Sequence, residues 1–385
     1  MRIAIAGGGT GGHVFPALAV ARELRARDNS TRVLWLGQAD SLEQQTAAAD
    51  GIEFATVAVG KLRRDRNPLR MLNRANVTDM ARVPIGVAQA VRRLRAFAPD
   101  VVLTTGGYVA VPVGVAAGVV RVPLVVHEQT VGLGLANKVL ARIATAVAVT
   151  SEASVAVLPP RAAARAVVTG NPVRESVLTG SAAAALERFG GGFDPGLPTV
   201  LVTGGAQGAH QINTALAETL ESLLAQANVI HQAGAADLSA LQETAAALPG
   251  EVSGRYVVVD FIDGAGMADA LASADVVVCR AGAGTIAELT ALGKAAVLIP
   301  LASSAGGEQA RAARLLERAG AAITVSGTVT GQTVSAAVSR LLADPDARAR
   351  LGKAARELGR PDAGARLAEL VRTVAAGEPS VSRTG

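Results

Sequence analysis

Seven residues near the N-terminus, Gly7–His13 (GGGTGGH), hold five glycines and then an imidazole. Glycine lets a backbone turn sharply and approach a ligand closely. A helix that starts after such a turn aims its free N–H groups at an anion. Histidine is the side chain whose unperturbed pKa lies near neutrality, so His13 is the best candidate to abstract a proton beside that anion, although a neutral histidine closing the turn fits the local sequence too. Gly7-x-Gly9-x-x-Gly12 is also the GxGxxG spacing of dinucleotide sites, which want an acid at the end of the second strand. The second strand here reads Arg32–Leu36 and ends Gly37-Gln38, with Asp40 late. That argues against a dehydrogenase.

Other loops carry matching chemistry. Arg280-Ala-Gly-Ala-Gly-Thr285 follows a strand and leads into a helix expected to start near Thr285. Glu288, one turn in, could accept both hydroxyls of a ribose while the loop N–H groups take phosphate. Thr285-x-x-Glu288 fits an ordinary capping box equally well. Gly204–Gly208 (GGAQG) offers a second helix N-terminus to a diphosphate, or is a tight strand-to-helix turn. The stretches Thr105–Tyr108, His127–Thr130, Gly170–Arg174 and Phe261–Asp263 also follow expected strand ends, where open α/β sheets bind ligands. His127 abuts Glu128, so either could orient the other, or the pair is a satisfied strand end. His210 and His231 stand alone and read as structural. Four glycine turns divided between two halves suggest a multiply phosphorylated ligand. No His, Cys and Asp spacing suggests a metal site, and Asp344-Pro-Asp346 reads as a helix cap.

The elements that must position these loops alternate strand and helix throughout, which predicts parallel sheets covered by helices. Strands are expected at Arg2–Ala6, Arg32–Leu36, Val101–Thr104, Leu124–His127, Ala146–Thr150 and Ala166–Thr169. The second half restarts the theme at Thr199–Thr203, then Val229–Gln232, Tyr256–Val259, Val276–Cys279 and Ala296–Ile299. The first helix is expected near Pro16. The fold class is therefore α/β, with two Rossmann-like domains facing each other across a cleft. The first domain spans 1–174, a glycine- and proline-rich linker spans 175–197, and the second domain spans 198–359. One late helix, about 360–375, is expected to pack back on the first domain, and 377–385 to form a tail without structure.

A chain of 385 residues suits two cores, and half of its residues are apolar. Its net charge of +5 matters only where clustered. One cysteine, Cys279, excludes an internal disulfide and fits a reducing compartment. The start enters a strand and a glycine loop at once, so no secretory leader is expected there. The longest apolar run, Val109–Val120, is too short to span a bilayer. Charge does cluster between Lys61 and Arg95, where arginines including Arg63, Arg64, Arg70, Arg74, Arg82, Arg92 and Arg93 meet only Asp65 and Asp79. The stretch reads as a solvated helix face, or as a surface for anionic lipid or substrate. It lacks the interleaved aromatics that stack nucleic-acid bases.

Together GGGTGGHVFPALAVA, TTGGYVAVP, HEQTVGLGLANKVLARIA, GNPVR, VTGGAQGA, FID, CRAGAGTIAEL and GEQ, in that order, resemble the MurG family of glycosyltransferases. The resemblance implies a GT-B fold and inverting transfer of N-acetylglucosamine from UDP-GlcNAc to O4 of the muramic acid unit in undecaprenyl-pyrophosphoryl-MurNAc-pentapeptide (lipid I). It implies His13 as the base, with Glu128 and Tyr108 nearby, and Thr10, Gly11 and Gly12 near donor sugar and acceptor. Arg174 and the turn containing Ala206 and Gln207 would hold the donor diphosphate. Ile262 would bond uracil through its backbone. Ala283, Gly284, Thr285, Ile286, Ala287 and Glu288 would hold the nucleotide, with Glu288 on the ribose, and Gln309 would contact sugar hydroxyls. The chain departs from the family pattern at Thr130, which keeps a hydroxyl but loses an amide, at Ala206, which lacks a hydroxyl, and at Ala312 in place of asparagine. No cofactor or metal is implied. The expected partners are UDP-GlcNAc, lipid I, an anionic membrane surface met by residues 61–95, and proteins of cell-wall synthesis and division, at the cytoplasmic face of the cell membrane. A non-hydrolysing UDP-GlcNAc 2-epimerase and an inactive nucleotide-sugar-binding scaffold are the competing readings.

Overall fold

The computed structural model describes residues 1–60 and 74–378. They form two compact units, Met1–Pro172 together with the C-terminal segment from Asp362, and Val173–Pro361.

The first unit is a seven-stranded parallel sheet in the order β3-β2-β1-β4-β5-β6-β7. Its strands are β1 (Arg2–Gly7), β2 (Arg32–Gly37), β3 (Glu53–Thr56), β4 (Val101–Gly106), β5 (Leu124–His127), β6 (Ala146–Val149) and β7 (Ala166–Val168). A parallel sheet with helices on both faces buries every residue of its central strands, which is why these read as unbroken apolar runs. Ile3, Ile5, Val33 and Trp35 pack on one face with Val14, Leu18 and Leu24 of the helix Gly11–Arg27 and with Leu367 and Val371 of the helix Ala363–Ala375. Ala4, Ala6, Leu34 and Leu36 pack on the other face, with Leu94 and Val113. The last helix thus completes the first core, and Arg27 ties its Glu369 at 3.0 Å.

The second unit repeats the plan with six parallel strands ordered β10-β9-β8-β11-β12-β13. They are β8 (Thr199–Thr203), β9 (Asn228–Gln232), β10 (Tyr256–Val259), β11 (Val276–Cys279), β12 (Ala295–Leu298) and β13 (Ile323–Thr324). In both sheets the strand order reverses beside the first strand, between β1 and β4 and between β8 and β11. Open α/β sheets bind ligands at such switch points, beyond the C-terminal ends of the strands.

Several local expectations change. β3 and β13 are edge strands without an unbroken buried apolar run: β3 reads EFAT with only Ala55 buried, and β13 has two half-buried residues. The first helix starts at Gly11, before Pro16, because the Thr10 carbonyl accepts from the His13 and Val14 N–H groups despite the two glycines. Residues 175–197, expected as a linker, contain the helices Glu175–Leu178 and Ala182–Phe189. Their Val177, Ala185 and Phe189 are buried in the core with Ile262 and Leu271. Of the basic stretch, 61–73 lie outside the described residues. The remainder is the helix Arg74–Phe97, which exposes Arg82, Arg92, Arg93 and Arg95 together with Met80 and Ile85.

Each unit buries one neutral histidine. Burial pushes His127 and His231 from 6.5 down to about 4. Each therefore favours the folded state fully above pH 6.5, and this is lost as pH falls toward the folded value, because the unfolded chain binds the proton first. The loss amounts to roughly 3 kcal/mol per histidine. The melting temperature should drop on acidification from about pH 7 to about pH 5, and a flat melting temperature by circular dichroism would contradict the burial argument.

Candidate active site

In the first unit the glycine turn after β1 meets the end of β4. Ala6 pairs with Thr104, yet Gly7 pairs with Gly106, so Thr105 is an extra residue in the ladder. Such irregularities re-aim groups next to active sites. Here the Thr105 carbonyl, freed from the ladder, accepts from His13 Nδ1 at 2.8 Å, and the Thr105 hydroxyl donates to the His13 carbonyl at 2.7 Å. Gly106 adopts φ +104 with the His13 ring 2.8 Å from where a Cβ would stand, so a side chain there is excluded twice over. Gln129 Oε1 is a second acceptor on His13 Nδ1, at 3.2 Å. Both neighbours of Nδ1 are acceptors, so that nitrogen carries the proton and Nε2 is the basic one.

Glu128, just beyond β5, and His127 turn to different partners: the His127 ring to the Gly170 carbonyl and Gln129, Glu128 to groups of its own loop. Glu128 is buried and accepts from the Thr130 N–H, the Thr130 hydroxyl, the Gly134 N–H and Asn137 Nδ2 at 2.7–3.0 Å. It shapes the loop that carries Gln129. Thr130 thus uses its hydroxyl inside the loop. Tyr108 is 44% exposed at the end of the β4 loop, and Thr10 is exposed at the helix N-terminus.

An acid does sit under the glycine turn. Glu43 is 2% exposed and accepts from the N–H groups of Gly9 and Gln38, each at 3.2 Å. It ties the β1 and β2 loops together and occupies an amide that a dinucleotide would need, which strengthens the case against a nicotinamide site.

In the second unit, the helix Ala283–Leu292 starts after Gly282 with no side-chain cap. The Thr285–Glu288 capping box does not form; Glu288 instead accepts from Arg174 Nη2 at 2.9 Å and Nε at 3.3 Å. Of the two alternatives, the ordinary capping box is therefore not the one this structure adopts. The Gly204–Gly208 turn closes with the Gly208 N–H donating to the Gly205 carbonyl, leaving Ala206 and Gln207 exposed at its tip. Gln232, buried at the end of β9, binds both nearby loops. Its Nε2 donates to the Gly205 carbonyl at 2.8 Å, and its Oε1 accepts from the Ile262 N–H at 2.9 Å. That N–H is therefore already used within the unit. Gln309 Oε1 accepts from the Leu301 N–H at 2.9 Å, which pins the loop before its helix. Cys279 is buried and pushed up to about 12, an inert thiol. Asp344 caps the helix Pro345–Leu358 through the Ala347 N–H, and His210 pairs with Asp237.

Residues 3–149 match the glycosyltransferase family 28 N-terminal domain and residues 199–367 its C-terminal domain. A relative from Clavibacter sepedonicus, named UDP-N-acetylglucosamine--N-acetylmuramyl-(pentapeptide) pyrophosphoryl-undecaprenol N-acetylglucosamine transferase, is 41% identical, with 98% of this chain and 97% of that protein aligned. The crystal structure of Acinetobacter baumannii MurG superposes with a TM-score of 0.75 at 28% identity, covering 97% of this chain and 99% of that one. The chain belongs to the MurG family. The UDP-GlcNAc 2-epimerase of Neisseria meningitidis shares the fold, with a TM-score of 0.67 over 96% of this chain and 99% of that one, but only 15% identity. The MurG-family motifs divide between the units. His13, Thr10, Gly11, Gly12, Tyr108, Glu128 and Thr130 lie in the first, and Arg174, Ala206, Gln207, Ile262, the helix start from Ala283 to Glu288 and Gln309 in the second. Sequence reasoning assigned no role to Glu43, Gln129 or Gln232. Gln129 and Gln232 are buried polar residues at or just beyond a strand end, the signal that could have found them, while Glu43 lies in the first turn of the helix Leu42–Ala49.

Proposed function

We infer that this chain transfers N-acetylglucosamine from UDP-GlcNAc to O4 of the muramic acid unit of lipid I, giving lipid II and UDP. The full-length similarity to enzymes named for this transfer carries the reading, and the histidine that closes this chain's GGGTGGH turn supplies the chemistry. His13 Nε2 takes the proton of the attacking hydroxyl. O4 bonds to the anomeric carbon as the bond from that carbon to phosphate breaks, and the electron pair leaves with UDP. Attack opposite the leaving group inverts the anomeric centre. The N-terminus of the helix Ala283–Leu292, the Gly204–Gly208 turn and Arg174 stabilise the departing diphosphate. These groups do the work of a cation, so we assign no metal to the reaction. Glu288 takes the ribose hydroxyls, the Ile262 backbone the uracil, and Gln309 the sugar hydroxyls. Glu128 holds the loop bearing Gln129.

UDP release by the purified chain, followed with and without a lipid I analogue, tests this reading. UDP should appear only with acceptor, and EDTA should not slow it. UDP-ManNAc formed from UDP-GlcNAc alone would instead show the epimerase, and donor binding without turnover the scaffold.

We further propose that the chain docks on the cytoplasmic face of the membrane through the region 61–95. The exposed Arg82, Arg92 and Arg93 beside exposed Met80 and Ile85 support this, as basic and apolar residues together suit an anionic lipid surface. Among the described residues no helix is long and apolar enough to cross a membrane. Charge reversal at Arg63, Arg64, Arg70 and Arg74 should reduce co-sedimentation with anionic vesicles, and unchanged sedimentation would refute this surface.

A further inference from the structure

We propose that His127 and Gln129 fix the protonation pattern of His13, holding its proton on Nδ1 and its lone pair on Nε2. The pattern can be followed from its buried end. His127 Nε2 lies 3.1 Å from the Gly170 carbonyl oxygen, which can only accept, so this nitrogen carries the proton. Burial keeps the ring neutral, with its pKa down at about 4, so His127 Nδ1 holds a lone pair. Gln129 Nε2 lies 3.2 Å from that nitrogen and 2.6 Å from the Thr105 carbonyl oxygen. Two acceptors on one side of the amide claim both of its hydrogens and orient it. The amide oxygen must then face His13 Nδ1, as it does at 3.2 Å.

His13 Nδ1 therefore meets two acceptors, Gln129 Oε1 and the Thr105 carbonyl, and both are held by the same network. A protonated His127 would donate from Nδ1 and turn the amide over. The NH2 group would then face His13 and favour the opposite tautomer, with Nε2 protonated and useless as a base. A histidine side chain free in water prefers its proton on Nε2, so the pattern needed for catalysis has to be enforced. His127 and Gln129 are thus positioning residues, acting on the reaction through His13.

The tautomer follows from geometry alone, while its effect on turnover rests on His13 being the base. The chain has only four histidines, so ring 15N resonances of the full-length protein can be assigned by single substitutions. In the wild type, His13 should show a protonated Nδ1 and an unprotonated Nε2. Gln129→Met keeps side-chain volume and removes the amide. It should mix the His13 tautomers and lower kcat about tenfold or more, with the KM for UDP-GlcNAc held within about twofold. A wild-type His13 protonated on Nε2 would overturn the proposal without any variant. An unchanged His13 ring spectrum in Gln129→Met would overturn it too, by assigning the tautomer to the Thr105 carbonyl alone. Should His13→Ala turn over at the wild-type rate, the base reading would fall, while the ring spectrum would still decide the tautomer.

Discussion

His13→Ala should lower kcat by roughly 10²–10⁴-fold, the usual contribution of a positioned general base, while leaving UDP affinity unchanged. The split follows from where the residue sits. His13 lies in the first unit, and the groups assigned to the nucleotide all lie in the second. Its Nδ1 is committed to the Thr105 carbonyl and Gln129, so only Nε2 is offered to a substrate. Alanine removes that nitrogen. The Thr10 carbonyl that starts the helix bonds backbone N–H groups, which alanine retains. Steady-state kinetics beside isothermal titration with UDP separate the two quantities. A near wild-type kcat would remove His13 as the base, and equal loss of kcat and UDP binding would point to a collapsed loop.

Glu288→Ala should weaken UDP binding by roughly 10- to 100-fold, the worth of hydrogen bonds made by a charged group. Two losses add up. The ribose loses its acceptor, and Arg174 loses the carboxylate that holds it at 2.9 Å. Arginine then has a choice of other conformations when the diphosphate arrives, and ordering it costs affinity. Glu288→Gln keeps an acceptor for the ribose but weakens the hold on Arg174, so its effect should fall between the two. Titration with UDP and with uridine resolves the contributions. If uridine binding were untouched in Glu288→Ala, the ribose assignment would be wrong.

The sheets and the glycine turns were legible because their signals are local. Apolar runs mark strands buried on both faces, and glycines at their C-terminal ends mark close approach. The same logic failed at the margins, where β3 and β13 are edge strands of four and two residues. It also misread 175–197, where Ser181 caps the helix Ala182–Phe189, which buries its Ala185 and Phe189, four residues apart, and where both short helices pack on the helix Gly264–Ser273. At the site, His13 and Glu288 could be named from residue type and motif, but their partners could not. Gln129 is 116 residues from His13, and Arg174 is 114 from Glu288. A buried amide has no spacing pattern, because its partners are chosen by the order of strands in the sheet. For the same reason TxxE fitted a cap and a ribose ligand equally well, and only the structure shows Arg174 on the carboxylate.

Transfer of labelled N-acetylglucosamine from UDP-GlcNAc to a lipid I analogue, in EDTA, with the linkage of the product read by NMR, tests the central claim most directly. A β-linked disaccharide formed with stoichiometric UDP would establish donor, acceptor, inversion and independence from metal in one experiment. Binding of UDP-GlcNAc with no disaccharide formed, or an α-linked product, would contradict it.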